Sequence, residues 1–165
     1  GSIKGANYVG ALAGQMTDGG VGLTYSSAAV EGKSLVGGLV GGSFGSVMVN
    51  NYATGDVTGL GGGSNVGAIG GLVGLFTGRT TPGFMSGGYA SGKVSGTDVQ
   101  NVGGLVGLSA SVIMNSYATG DVSVSGATSK AVGGLIGAIS GGATNVYSTG
   151  QVSSADSSTS KRSVG

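Results

Sequence analysis

One unit is written five times along this chain. Its fullest form is Val102-Gly103-Gly104-Leu105-Val106-Gly107 followed by Asn115-Ser116-Tyr117-Ala118-Thr119-Gly120-Asp121-Val122. The glycine box begins at residues 9, 36, 69, 102 and 132, so successive boxes are 27, 33, 33 and 30 residues apart, and the tyrosine after each box falls at 25, 52, 89, 117 and 147. A repeat of roughly 30 residues points to a stack in which each copy packs on its neighbours, not to one compact globule.

The stack is not helical. The chain holds 40 glycines among 165 residues, and glycine inside a helix costs roughly 0.5–1 kcal/mol against alanine. Val, Thr, Tyr and Ile dominate between the glycines, which suits short strands and tight turns. No Gly-X-Y period is present, so collagen is excluded. Charged residues make up 8% and the formal net charge is +1, which argues against nucleic acid or an anionic membrane as partner. No apolar run approaches the ~20 residues of a membrane helix. Cysteine and histidine are absent, which removes disulfides, thiol nucleophiles and histidine-based catalysis.

Comparing the copies column by column predicts which way side chains point. Five residues after each tyrosine stands Val30, Val57, Val94, Val122 or Val152, and the residue before that valine is Ala29, Asp56, Lys93, Asp121 or Gln151. The valine column is expected inside and the mixed column in water. Val21, Met48, Met85, Ile113 and Ala143 lie four residues before the tyrosines, and Leu23, Asn50, Gly87, Asn115 and Asn145 lie two before. Strict alternation along a strand puts both columns, and the tyrosines with them, on the inner face. Thr24, Asn51, Gly88, Ser116 and Val146 are then expected outside, and Asn50, Asn115 and Asn145 read as a hydrogen-bonded ladder near a corner. An odd spacing from tyrosine to valine demands a bend, placed at Gly55, Gly92, Gly120 and Gly150 with positive φ and with Thr54, Ser91, Thr119 and Thr149 bonding the turn. In the box, Val36 and Leu39 are three apart. Either the Gly-Gly pair bends or the strand is covered on both faces; the bend is the favoured reading, with Leu12, Leu39, Leu72, Leu105 and Leu135 as one apolar ladder.

These columns predict an all-β chain: a right-handed parallel β-helix, or β-solenoid, of about five Gly-rich coils with three strands each. Right-handedness rests on the usual sense of parallel crossovers. The expected organisation is Gly1-Ser2 as the remnant of an expression tag, 3–152 as the solenoid, and 153–165 as a Ser-rich linker with the start of a sixth box.

At the cores Gly38-Leu39-Val40-Gly41, Gly71-Leu72-Val73-Gly74, Gly104-Leu105-Val106-Gly107 and Gly134-Leu135-Ile136-Gly137 the chain resembles the GLUG-motif repeats, as does the companion text Asn-x-Tyr-Ala-Thr-Gly-Asp-Val. The resemblance runs from about Val9 to Val152; the first copy departs from it with Ala11 and Ala13 in the box. It implies large secreted or surface-anchored bacterial proteins, among them adhesin-like proteins and some surface peptidases, in which the repeats are non-catalytic modules.

Candidate sites are few. Asp56 and Asp121 occupy equivalent outward positions roughly 10 Å apart at the coil spacing, but Lys93 intervenes, so the column reads as a solvated face and not as a glycosidase pair. No metal or cofactor site is expected: there is no Asp-rich calcium repeat, and no box carries the Lys-Ser/Thr of a phosphate loop. The tyrosine column reads as core stacking in preference to a carbohydrate platform. The third copy is longer between box and tyrosine, and the extra residues fall in 76–84. Phe76, Arg79, Thr80, Thr81 and Phe84 form the candidate binding loop, since insertions in solenoids map to loops.

The expected function is a non-catalytic structural or adhesive module of a bacterial cell-surface or secreted protein. The alternative is a ligand-binding module that touches glycan, a host or neighbour-cell protein, or ice through the 76–84 loop or a flat β-face. Neither nucleic acid nor membrane insertion is expected. End-to-end self-association is, because terminal coils expose unpaired backbone.

Overall fold

The computed structural model describes residues 1–61, 67–126 and 130–155 and the strand Ser163–Val164. Among the described residues every regular element is a strand, and every paired strand runs parallel to the same segment of the next copy. The fold is a parallel β-solenoid of about five coils. Copy-to-copy register holds at single-residue level: Val30 pairs with Val57, Val57 with Val94, Val94 with Val122 and Val122 with Val152. At the two ends, Ile3 extends the valine ladder beside Val30, and Val164 extends the box ladder beside Val132.

A coil has more corners than the three strands expected. In the second copy the chain passes through Leu35–Gly37, Val40–Phe44, Val47–Val49, Tyr52–Ala53 and Val57–Leu60. Stacked with their equivalents these make four sheets: a first box sheet, a second box sheet, a tyrosine sheet and a valine sheet. The tyrosine sheet takes two of the five strands, because the chain bends between Val49 and Tyr52; in the fourth copy the strand Val112–Ala118 runs through the same place unbroken.

The box is bent and also covered on both faces, so the two alternatives are both realised. Leu35–Gly37 and most of Val40–Phe44 are buried throughout. The two strands fold back on each other across a seam of glycine. A Cβ added at Gly37 would strike the Val40 carbonyl and approach Leu72 O, and one at Gly41 would lie 2.6 Å from both Gly14 O and Val9 N. The bend itself reaches the far wall: a Cβ at Gly38 would sit 2.8 Å from the Ala53 Cβ, at Gly71 2.9 Å from Ala90, and at Gly104 3.1 Å from Ala118. No other residue fits there, because the same Cβ would also strike the carbonyl of Gly71, Gly104 or Gly134 in the next coil. The box therefore pinches the core into two lobes. One holds Val30, Val36, Val57, Ile69, Val94, Val102 and Val122; the other holds Leu39, Val40, Met48, Leu72, Phe76, Met85, Leu105 and Ile113. Fully burying each such side chain contributes roughly 1.5–3 kcal/mol. Leu12, at the open end of its ladder, is half exposed.

Gly55, Gly92, Gly120 and Gly150 stand at the tyrosine–valine corner as expected, but not for positive φ, which among the described glycines belongs to Gly45, Gly87 and Gly126. They are needed for clearance: a Cβ at Gly92 would strike the Gly55 carbonyl of the neighbouring coil, and one at Gly120 the Gly92 carbonyl. The corner is held by carboxylates. Asp56 Oδ1 accepts the Lys93 N–H at 2.9 Å and Asp121 Oδ1 accepts the Gln151 N–H at 2.8 Å, each tying one coil to the next.

Candidate interaction surfaces

The five tyrosines form one column, as the repeat requires, but they face outward. Tyr25, Tyr52 and Tyr147 are exposed and Tyr89 and Tyr117 are partly so. The reversal has a local cause. Leu23, Asn50, Asn115 and Asn145 have φ near +50°, and Gly87 shares the column with φ +68°. One left-handed residue breaks the alternation of faces. Met48, Met85 and Ile113, before the break, point inward as expected. After it the inner positions are Asn51, Gly88 and Ser116, which were expected outside. The sequence did carry a signal: Asn and Gly sharing a column are the residues that tolerate the left-handed region.

Burying Asn51 and Ser116 is compensated bond by bond. Asn51 Oδ1 accepts from the Thr24 N–H at 3.1 Å and the Thr24 hydroxyl at 2.6 Å, while its Nδ2 donates to Val21 O at 3.0 Å. The Ser116 hydroxyl donates to Met114 O at 2.6 Å and accepts from the Gly88 N–H at 2.9 Å. Both stitch a corner to the coil beside it. Of the expected asparagine ladder one rung is present, on the outer face: Asn145 Nδ2 donates to Asn115 Oδ1 at 2.7 Å, and Asn115 Nδ2 donates on to Ser86 Oγ at 3.3 Å, not to Asn50, which Gly87 separates from it in the column.

Outside, the tyrosine rings stack along the solenoid axis. Tyr25–Tyr52 and Tyr117–Tyr147 lie 5.0 and 5.1 Å apart between centroids and within 7° of parallel. Tyr89–Tyr117 is stacked at 4.9 Å, and Tyr52–Tyr89 is tilted by 31° at 5.6 Å. Ring faces thus meet one another, and the column presents edges. Beside it the same sheet exposes Val47, Val49 and Val112, with Phe84 and Met114 partly covered. None of the five segments 20–27, 47–54, 84–91, 112–119 and 142–149 contains a charged residue.

The 76–84 insertion is shorter and more tied down than the sequence suggests. Phe76 is fully buried in the second lobe, at the level of Ser43 in one neighbouring coil and Ser109 in the other, so a large side chain is flanked by two small ones. Phe84 begins the next strand. The loop proper is 78–83, between strands ending at Thr77 and starting at Phe84. Arg79 and Thr80 are exposed, but Arg79 Nη1 lies 3.6 Å from Asp18 Oδ2, two coils away. The Thr81 hydroxyl donates to Gly45 O at 2.8 Å, in the coil between. The loop lies along the corner of three coils as a strap; of the five candidate residues it leaves Arg79, Thr80 and Thr81 at the surface and withdraws Phe76.

Beyond the tyrosine–valine corner, the valine sheet presents hydroxyls. Ser95 and Ser123 are 3.2 Å apart and Thr97 and Ser125 3.1 Å apart, each a hydrogen-bonded pair between coils; they line a shallow open groove with Ser153. Asp56 and Asp121 are exposed at this sheet's edge and serve as the backbone caps described above. Among the described residues no three carboxylates gather as a metal cluster would require.

Fold and surfaces together define a repeat module: a stack of near-identical coils with ladders on every wall. The family model for the GLUG motif matches residues 98–123. That is one full unit, box and companion text together, so a GLUG-repeat region is present and the other copies align with it strand by strand. No curated protein and no solved structure gives a match.

Proposed function

We propose that the chain is a non-catalytic spacer and display module of a bacterial cell-surface or secreted protein. The observation that carries this reading is the register: every copy places its valine, tyrosine and box residues over those of the next. A stack so built lengthens by one coil per copy and holds whatever is joined to it at a fixed distance. The polar cross-coil bonds are all spent on the stack itself, which suits a mechanical role. The bacterial surface setting rests on the GLUG resemblance.

The test is to add or remove whole copies. Small-angle scattering should give an axial length that changes by ~4.8 Å per coil with an unchanged cross-section. A length that does not follow copy number would overturn the spacer reading. The alternative, glycan binding through an outer wall, is checked on the same samples by a glycan array: specific retention that is lost on replacing Tyr89 and Tyr117 would make the module a binder.

A further inference from the structure

We propose that the tyrosine sheet is a docking wall for a second copy of this chain, side by side. This goes beyond the spacer reading, since a lone rod spaces as well as a paired one.

Three observations converge on that occupant. The first is charge. The five segments that build the wall contain no Lys, Arg, Asp or Glu; the charges nearest it stand at its two margins, Asp18 and Arg79 on the box side and Asp56, Lys93 and Asp121 at the tyrosine–valine corner. A partner chosen by charge finds nothing to read on the tyrosine wall, and an identical wall meets it without repulsion. The second is apolar exposure. Val47 is 44% exposed and Val112 41%, in one apolar rank joined by Phe84; Val49, 38% exposed, and Met114 stand in the next rank with Ser86 between them. Aligned apolar side chains left in water mark an interaction surface. The third is pitch. The ranks repeat at the coil spacing, so the ridges of one copy fit the grooves of a surface with the same spacing, and a second copy supplies it. A sugar chain is the poorer occupant, because the ring faces it would stack on are taken by neighbouring rings.

Size is consistent with a modest affinity. Five strands ~4.8 Å apart and about eight residues across at ~3.3 Å each give roughly 600 Å² per copy. Two such walls bury roughly 1,200 Å², the lower end of specific interfaces. A two-fold arrangement is the natural closure. It brings the middle coil of one copy against the middle coil of the other, near Ser86.

These 165 residues include no cysteine, so a single engineered one reports the contact. Ser86→Cys, at mid-height on the wall, should form a disulfide-linked dimer at least tenfold faster than Ser95→Cys, at the same height on the valine sheet. Sedimentation of the unaltered chain should reach a plateau at twice the monomer mass as concentration rises. Val47→Lys combined with Val112→Lys should raise the dimer dissociation constant at least tenfold. Both sites are solvent-facing, and an unchanged melting temperature confirms that the fold survives. Equal cross-linking rates at 86 and 95, a monomer throughout the concentration range, or growth past the dimer that the two lysines leave untouched would each overturn the proposal; the last would assign association to the coil ends.

Discussion

The valine ladder and the tyrosine ladder lie five residues apart in every copy, and both keep one residue type in all five coils. One is the floor of a buried lobe; the other stands in water. Constancy within a column therefore does not report burial in a parallel stack. It reports that each side chain's main neighbour is its own equivalent one coil away, inside or outside. The neighbouring positions tell the two apart. Valine is preceded by Ala, Asp, Lys or Gln, a set only solvent accepts. Tyrosine is preceded by Thr, Asn, Gly, Ser or Val, which suits a tight inner corner as well as a surface.

The sharpest test of that contrast is a charge placed in the valine ladder. Val122→Asp should lower stability by several kcal/mol, as an unpaired buried carboxylate must be desolvated or protonated. Asp121→Val, one residue away, should cost about 1 kcal/mol, the net worth of the Gln151 N–H bond it removes. Urea denaturation of the two variants measures the gap; equal losses would mean the facing is misassigned.

The seam between the lobes comes next. Gly71→Ala would drive a methyl into the Gly104 carbonyl and to 2.9 Å from the Ala90 Cβ, and should cost about 3 kcal/mol. Ala90→Gly in the same chain should recover only part of it, since the carbonyl contact remains. Full recovery would show that Ala90 alone sets the limit.

Asn51→Ala tests the corner that turns the tyrosines outward. It leaves Thr24 N–H and Val21 O without their partner and should cost about 2 kcal/mol. Hydrogen exchange at Thr24 should quicken with it; unchanged exchange would mean the corner is held by other contacts.

A smaller effect is expected outside. Tyr89→Ala removes two ring contacts and should cost about 1.5 kcal/mol, well short of the ~3–5 kcal/mol that truncating a buried aromatic ring costs. A loss in the larger range would return the ring to the core. The smallest effect belongs to Ser43, whose hydroxyl is buried without a hydrogen-bond partner. Ser43→Ala should be neutral or stabilise by up to ~1 kcal/mol; marked destabilisation would mean that the hydroxyl has a partner in solution.

What the sequence determined by itself is the stack and its inner frame. The spacing of box, tyrosine and valine established the coil number, the columns and the burial of Val57, Val94 and Val122, since only stacking buries a column written once per copy. The bend at the Gly37-Gly38 pair was legible too; that the box is also covered on both faces, the less favoured alternative, was decided by the contacts of Gly37 and Gly41 with neighbouring coils. Tertiary structure decided the rest. The direction of the tyrosines hangs on a single φ per coil. That signal is blurred at Leu23, which adopts φ +56° without being Asn or Gly. The roles of Asp56, Asp121, Asn51 and Arg79 depend on partners 27 to 61 residues away in the chain, a separation at which no local pattern survives. Period fixes which residues stack; only the corner geometry, set by contacts between coils, fixes which way they look.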